Sequence, residues 1–298
     1  MHETLDIGGP LHVLRFGVDG PPMVLVHGLG SSHAHWLGVT KRLARTHRVC
    51  VPDLPGFGRS PLAGRDTGLR ANAALLLRLV ESLDPPVVLV GNSMGALLSM
   101  FVAGERPDLV SALVLVAPPA PGPWPAVADV RLAALFASYS LPVVGELTRG
   151  LWVRLNGPVG MVRSIFETTV SKPDRIPDIV RHAAVTLAHE RWTHDDDVHA
   201  FLRAYRSTSR YLLDGRRYDA MVRGIGAPTL VVQGARDQLV PPTLVRRLEE
   251  LRPDWRFARL EGVGHMPHVE DARGFVRIVE DFLTPRGRSS RRRVALSA

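Results

Sequence analysis

The chain has a single cysteine in 298 residues, so no disulfide can form within it. Cys50 sits in the apolar run RVCVPDL (residues 48–54), the setting of a small buried hydrophobe rather than of a reactive thiol. Lysine is nearly as scarce: two of the 37 basic residues, Lys41 and Lys172, carry an ammonium group, which points to coding bias more than to a designed binding face. No apolar run approaches the ~18 residues of a membrane span. The opening MHETLDIGGP has neither the basic start nor the apolar stretch of an export signal, so the expectation is a cytoplasmic protein with no membrane span.

Other signatures are missing as well. No internal repeat occurs, and no helix-turn-helix, zinc-finger or RNA-binding pattern is present. The net charge of +8 gathers largely in PRGRSSRRR (residues 285–293). The stretch 285–298 is therefore predicted to be a disordered basic tail, and no specific nucleic-acid partner is expected. LPGFGRS (54–60) is followed by no G-K-[ST], which excludes a phosphate loop. In HERWTH (189–194) the second histidine comes one position too late for a zinc-binding H-E-x-x-H. HDDDVH (194–199) reads as an acidic helix start rather than a metal site.

What is present is alternation. With 45% hydrophobic residues the chain can bury one sizeable core with an appended lid. Strand-length apolar runs recur at 11–17, 23–29, 48–54, 86–92, 112–118, 228–235 and 255–262. Most are rich in Val and Leu without strict alternation, as suits strands buried on both faces of a parallel sheet. Helical patterns at 35–45, 68–83, 93–104, 243–251 and 272–283 lie among them. The prediction is an α/β fold: a mostly parallel central sheet of about eight strands flanked by helices. The alternation stops between 120 and 221, where a Pro-rich start leads into helical patterns only. That block is expected to be an inserted helical cap, with 1–119 and 222–284 forming the core.

The chemistry concentrates at strand ends. Gly91-Asn92-Ser93-Met94-Gly95 fits G-x-S-x-G between a buried-type strand and a helix, the context of a nucleophile elbow. Glycine two positions to either side lets strand and helix meet at a sharp turn, and Ser93 stands at a helix start, where partial positive charge favours a developing anion. Asp237 follows one strand by two residues and precedes Pro241, while His265 lies in the glycine-lined loop GVGHMP after the last strand. The chain order Ser93, Asp237, His265 gives a nucleophile, an orienting acid and a base. In His27-Gly28-Leu29-Gly30 the backbone can approach a ligand closely, so the N–H groups of Leu29 and Met94 are the candidate oxyanion donors. His27 reads as a structural residue hydrogen-bonded beneath that loop. His33, Trp36, Asn92 and Met266 are candidate substrate-contacting residues.

HGLG (27–30), Trp36, PDLPGFGRS (52–60), GNSMG (91–95), GARDQLVP (234–241) and GHMPHVED (264–271) together resemble the serine-dependent α/β-hydrolases with a helical cap, over roughly residues 11–283. The resemblance implies hydrolysis through an acyl-enzyme on Ser93, with no metal or organic cofactor. Relatives that dehalogenate haloalkanes or open epoxides carry Asp at the elbow, where this chain has Ser93. Proline iminopeptidases usually read G-G-S-W-G. Asn92 before the serine is similar to the meta-cleavage-product hydrolases, which break carbon–carbon bonds, but GLGSSHAHW and Met266 depart from their pattern. The expectation is therefore a carboxylic ester hydrolase. Leu135, Phe136, Leu151, Trp152, Ile165 and Phe166 of the cap suggest a small to medium hydrophobic ester as its small-molecule substrate. The alternatives are a carbon–carbon bond hydrolase and a ligand-sensing hydrolase-like receptor with little turnover. Monomer and homodimer both remain open.

Overall fold

The computed structural model describes residues 1–122, 130–192 and 196–284. The predicted tail at 285–298, part of the Pro-rich start of the cap, and Thr193, His194 and Asp195 of the two rejected metal motifs lie outside the described residues. Eight strands form one sheet: β1 (His2–Asp6), β2 (Pro10–Phe16), β3 (Pro22–Val26), β4 (Arg48–Pro52), β5 (Val87–Asn92), β6 (Val110–Val116), β7 (Thr229–Gly234) and β8 (Arg256–Leu260). Their spatial order is β1-β2-β4-β3-β5-β6-β7-β8, antiparallel at β1, β2 and β4 and parallel from β4 onward.

The parallel strands explain their own composition. Every residue of β3, β5 and β7 is buried. Val24 and Val26 of β3 enter one core, while Met23 and Leu25 enter the other. Successive side chains point to opposite faces, so a strand covered on both sides must be apolar throughout. Truncating one such side chain, as in Leu25→Ala, removes packing worth about 2–5 kcal/mol. β1 was not anticipated: HETLD has no apolar run, and its pairing with β2 leaves residues alternately exposed and half-buried at the edge of the sheet.

The helices are α1 (Leu37–Leu43), α2 (Leu69–Glu81), α3 (Met94–Glu105), α4 (Val130–Ser140), α5 (Val144–Thr169), α6 (Asp178–Arg191), α7 (Asp196–Leu212), α8 (Gly215–Gly224), α9 (Pro242–Leu251), α10 (Pro267–Glu270) and α11 (Ala272–Leu283). α2, α3, α8 and α9 contribute to the larger core with one sheet face, and α1 and α11 pack on the other. Between β6 and β7 the described residues form helices and no strand, with α5 bent at Gly157 and Pro158. The expected cap boundary at 221 falls inside α8. Tyr218 of that helix is fully buried in the larger core and donates to Pro119 O at 3.1 Å. A third cluster joins α5 and α6 to Ala34, Met266 and Val269. Among the described residues no helix is long and apolar enough to cross a membrane.

Candidate active site

β5 ends in a turn that only small neighbours permit. Ser93 sits at φ 54°, ψ −118°, outside the regions open to most L-residues, which costs about 1–3 kcal/mol. Its N–H donates to Val116 O at 2.9 Å, and its own carbonyl accepts from Ala96 and Leu97 at the start of α3. A Cβ on Gly91 would stand 2.3 Å from Gly95 O, and one on Gly95 2.3 Å from Val26 O, so neither position admits a side chain. Strand, elbow and helix are thereby pressed together, leaving Ser93 half-buried.

The loop after β3 comes just as close, since a Cβ on Gly28 would be 3.2 Å from Ser93 Cβ. His27 is held beneath this loop, its Nε2 accepting from Leu54 N at 3.0 Å and its Nδ1 2.8 Å from Gly28 O. Among the described residues the N–H groups of Leu29 and Met94 have no hydrogen-bond acceptor. Met94 opens α3, where the first N–H groups have no partner within the helix, and Leu29 follows the glycine whose Cβ would meet Ser93.

Asp237 and His265 meet at the carboxyl ends of β7 and β8. The Asp237 carboxylate is buried and accepts at Oδ1 from Leu239 N and Val240 N, both at 2.9 Å. Its Oδ2 accepts from Gln233 Nε2 at 3.0 Å and pairs with His265 Nδ1 at 2.8 Å. A carboxylate in this position assigns the proton of His265 to Nδ1, which leaves Nε2 with a lone pair. The backbone of His265 is fixed from both sides: its N–H donates to Thr169 O at 2.6 Å and its carbonyl accepts from Asn92 Nδ2 at 3.2 Å. Ser93 Oγ makes no hydrogen bond among the described residues, to His265 or to any other group.

The four candidate contact residues fare differently from expectation. Ser32 caps a short 3₁₀ turn, His33–Trp36, that rolls its side chains inward. His33 is buried, its N–H and Nδ1 both on the Asp53 carboxylate at 2.7 Å, and Trp36 is fully buried, stacked 4.0 Å from the His268 ring. Asn92 spends its amide on Val116 O and His265 O, and Met266 packs in the cluster beneath α5 and α6. The sequence reading missed Gln233 and Thr169. A polar residue ending an otherwise apolar strand is a faint signal for the first, and a backbone carbonyl leaves none for the second.

Two further histidines near the site are buried. Burial lowers the pKa of His35 to about 4, and that of His268 well below the usual value. His12, His33 and Asp53 offer donor atoms within 4.8 Å of one another, a spacing that could hold a metal ion. Both imidazole Nδ1 atoms and the N–H groups of His33 and Arg59 already bond to the carboxylate, however. Burial opposes its charge, but the hydrogen bonds from His12 and His33 outweigh it and hold Asp53 far below the usual carboxylate range. The cluster thus ties β2, β4 and the turn after β3 together.

A sequence profile of the alpha/beta hydrolase family matches residues 23–278. The chain belongs to the alpha/beta hydrolase family. It is 29% identical over 276 residues to a pimeloyl-[acyl-carrier protein] methyl ester esterase of Aeromonas hydrophila, covering 91% of this chain and 98% of that one. A 2-hydroxy-6-oxo-2,4-heptadienoate hydrolase of Pseudomonas putida is 28% identical over 277 residues, covering 89% of each. Among solved structures, Cfl2 of Burkholderia cenocepacia superposes with a TM-score of 0.78 at 24% identity, covering 94% of this chain and 95% of that one, which establishes likeness of fold. As a member of this family the chain is a hydrolase.

Proposed function

We propose that this chain cleaves carboxylic esters of small to medium hydrophobic substrates through an acyl-enzyme. Ser93 Oγ attacks the ester carbonyl while His265 Nε2 takes its proton, and Asp237 holds the imidazole and stabilises the cation that forms. The tetrahedral oxyanion accepts the N–H groups of Leu29 and Met94. His265 then protonates the departing alcohol, and a water deprotonated at the same nitrogen releases the acid. Helices α4–α7 act as the cap.

One conjunction carries the reading: a serine strained at φ 54°, with the N–H groups of Leu29 and Met94 lacking acceptors among the described residues. A buried Asp237 and His265 pair stands at the neighbouring strand ends. The esterase of Aeromonas supports ester over other acyl bonds. The Pseudomonas hydrolase, together with Asn92 before the serine, favours carbon–carbon cleavage as the second reading.

Hydrolysis of p-nitrophenyl esters from acetate to decanoate, with Ser93→Ala as control, tests the proposal. Multiple turnovers that vanish in the variant, with a chain-length optimum, support it. A folded protein that leaves every ester intact overturns it, and cleavage of a vinylogous 1,5-diketone by the same protein would establish the second reading.

A further inference from the structure

Glu270 is buried at the end of α10 and has no cationic partner among the described residues. Its carboxylate instead accepts three backbone N–H groups. Oε2 takes Gly264 N at 2.8 Å and Ser171 N at 2.9 Å, and Oε1 takes Lys172 N at 2.9 Å. Gly264 is the residue before His265, while Ser171 and Lys172 follow the end of α5. One anion therefore bridges the histidine loop and the inserted helices.

The same seam carries the bond from His265 N to Thr169 O at 2.6 Å. It is closed to side chains, because a Cβ on Gly264 would stand 2.7 Å from Thr169 O and 2.9 Å from Ser171 N. Packing does not close it on every side. A cavity of about 550 Å³ opens along it, lined by Glu167, Thr169, Ser171, Arg236 and Gly264 among others. Polar bonds, with the carboxylate at their centre, hold the histidine loop against the end of α5.

We propose that Glu270 is a positioning residue for His265: its carboxylate fixes the seam so that the imidazole faces Ser93 while Nδ1 stays on Asp237. The inference rests on the role given to His265 above. Glu270→Gln presents an NH₂ group to backbone donors, so at least one of the three bonds is lost and the loop shifts. A displacement near 1 Å remote from the reacting atoms lowers turnover by as much as ~10²-fold.

The test compares Glu270→Gln and the milder Glu270→Asp with Val162→Ala, which loosens the adjacent apolar cluster and leaves the carboxylate's bonds intact. Ester turnover, thermal melting and the low-field proton resonance of His265 Nδ1–H, assigned by its loss in His265→Ala, are read on each. The expected result is a kcat loss of ten- to a hundredfold in Glu270→Gln with KM within about threefold, a smaller loss in Glu270→Asp, and a shifted or broadened resonance in both. Val162→Ala should melt lower with kcat and resonance unchanged. An unaltered resonance with unaltered kcat in the Glu270 variants overturns the proposal, as does an equal kcat loss in Val162→Ala. The resonance is recorded without substrate, so absence of ester turnover in the parent protein would defeat the ester reading and leave the positioning test intact.

Discussion

Replacing Asp237 with Asn separates geometry from charge at the site. The carboxylate accepts four hydrogen bonds, two at each oxygen. An amide can accept at one oxygen and must donate at the other position. If its NH₂ replaced Oδ1, it would face the N–H groups of Leu239 and Val240 and leave both unpaired, at about 1–3 kcal/mol for the buried Val240 donor. With the NH₂ at Oδ2, Gln233 can turn its amide, since its Oε1 has no partner, at the cost of its bond to Val240 O at 3.0 Å. That second arrangement is the cheaper, costing roughly 1–3 kcal/mol. It also places an N–H donor against His265 Nδ1, which drives the proton to Nε2 and removes the lone pair needed to accept the proton of Ser93. Turnover should then fall by about 10⁴-fold, as expected for a triad whose histidine is locked in the wrong tautomer. The melting temperature should fall by about 2–4 °C per kcal/mol. Ester kinetics and thermal melting on the same preparation check both numbers. A variant that keeps kcat within tenfold of the parent would refute the tautomer argument, whatever its stability.

Two further outcomes follow from burial and strain. His35 is buried with its pKa lowered to about 4, so between pH 4 and 6.5 the unfolded chain binds a proton that the native state refuses. Stability therefore falls as pH drops through that window, by roughly 3 kcal/mol at its lower end, counting ~1.4 kcal/mol for each pH unit. His35→Gln should reduce the slope of melting temperature between pH 6.5 and 4, the remainder coming from His268 and His27, whose pKa values burial also lowers; an unchanged slope would contradict the assignment. Ser93→Gly relaxes the elbow at φ 54°, where glycine carries no penalty. It should abolish turnover while raising the melting temperature, whereas Ser93→Ala abolishes turnover without the gain; equal melting of the two would count against stored strain.

Much of the core was legible because its signal is local. Seven apolar runs mark seven of the eight strands, and G-x-S-x-G after such a run marks the elbow. β1 escaped because an edge strand with one exposed side needs little apolar content. His33 and Trp36 have surroundings that the sequence did not indicate. They follow the glycine loop closely enough in sequence to suggest a pocket, but the 3₁₀ turn capped by Ser32 rotates them into the interior. The division at 221 falls inside α8, because a helix packed on the core and one in an insertion share the same amphipathic pattern.

The sequence by itself determined the class of fold, the chemical identity of Ser93, Asp237 and His265, and the glycines without which the elbow could not turn. Each of these is written in residue type and short spacing, where sterics and hydrogen bonding act within a few residues. Tertiary structure alone decided which groups serve those residues: Gln233 on Asp237, Asn92 and Thr169 on the backbone of His265, and Glu270 across the seam. His265 lies 173 residues beyond Asn92, and no local pattern encodes an approach that the packing of sheet and inserted helices brings about.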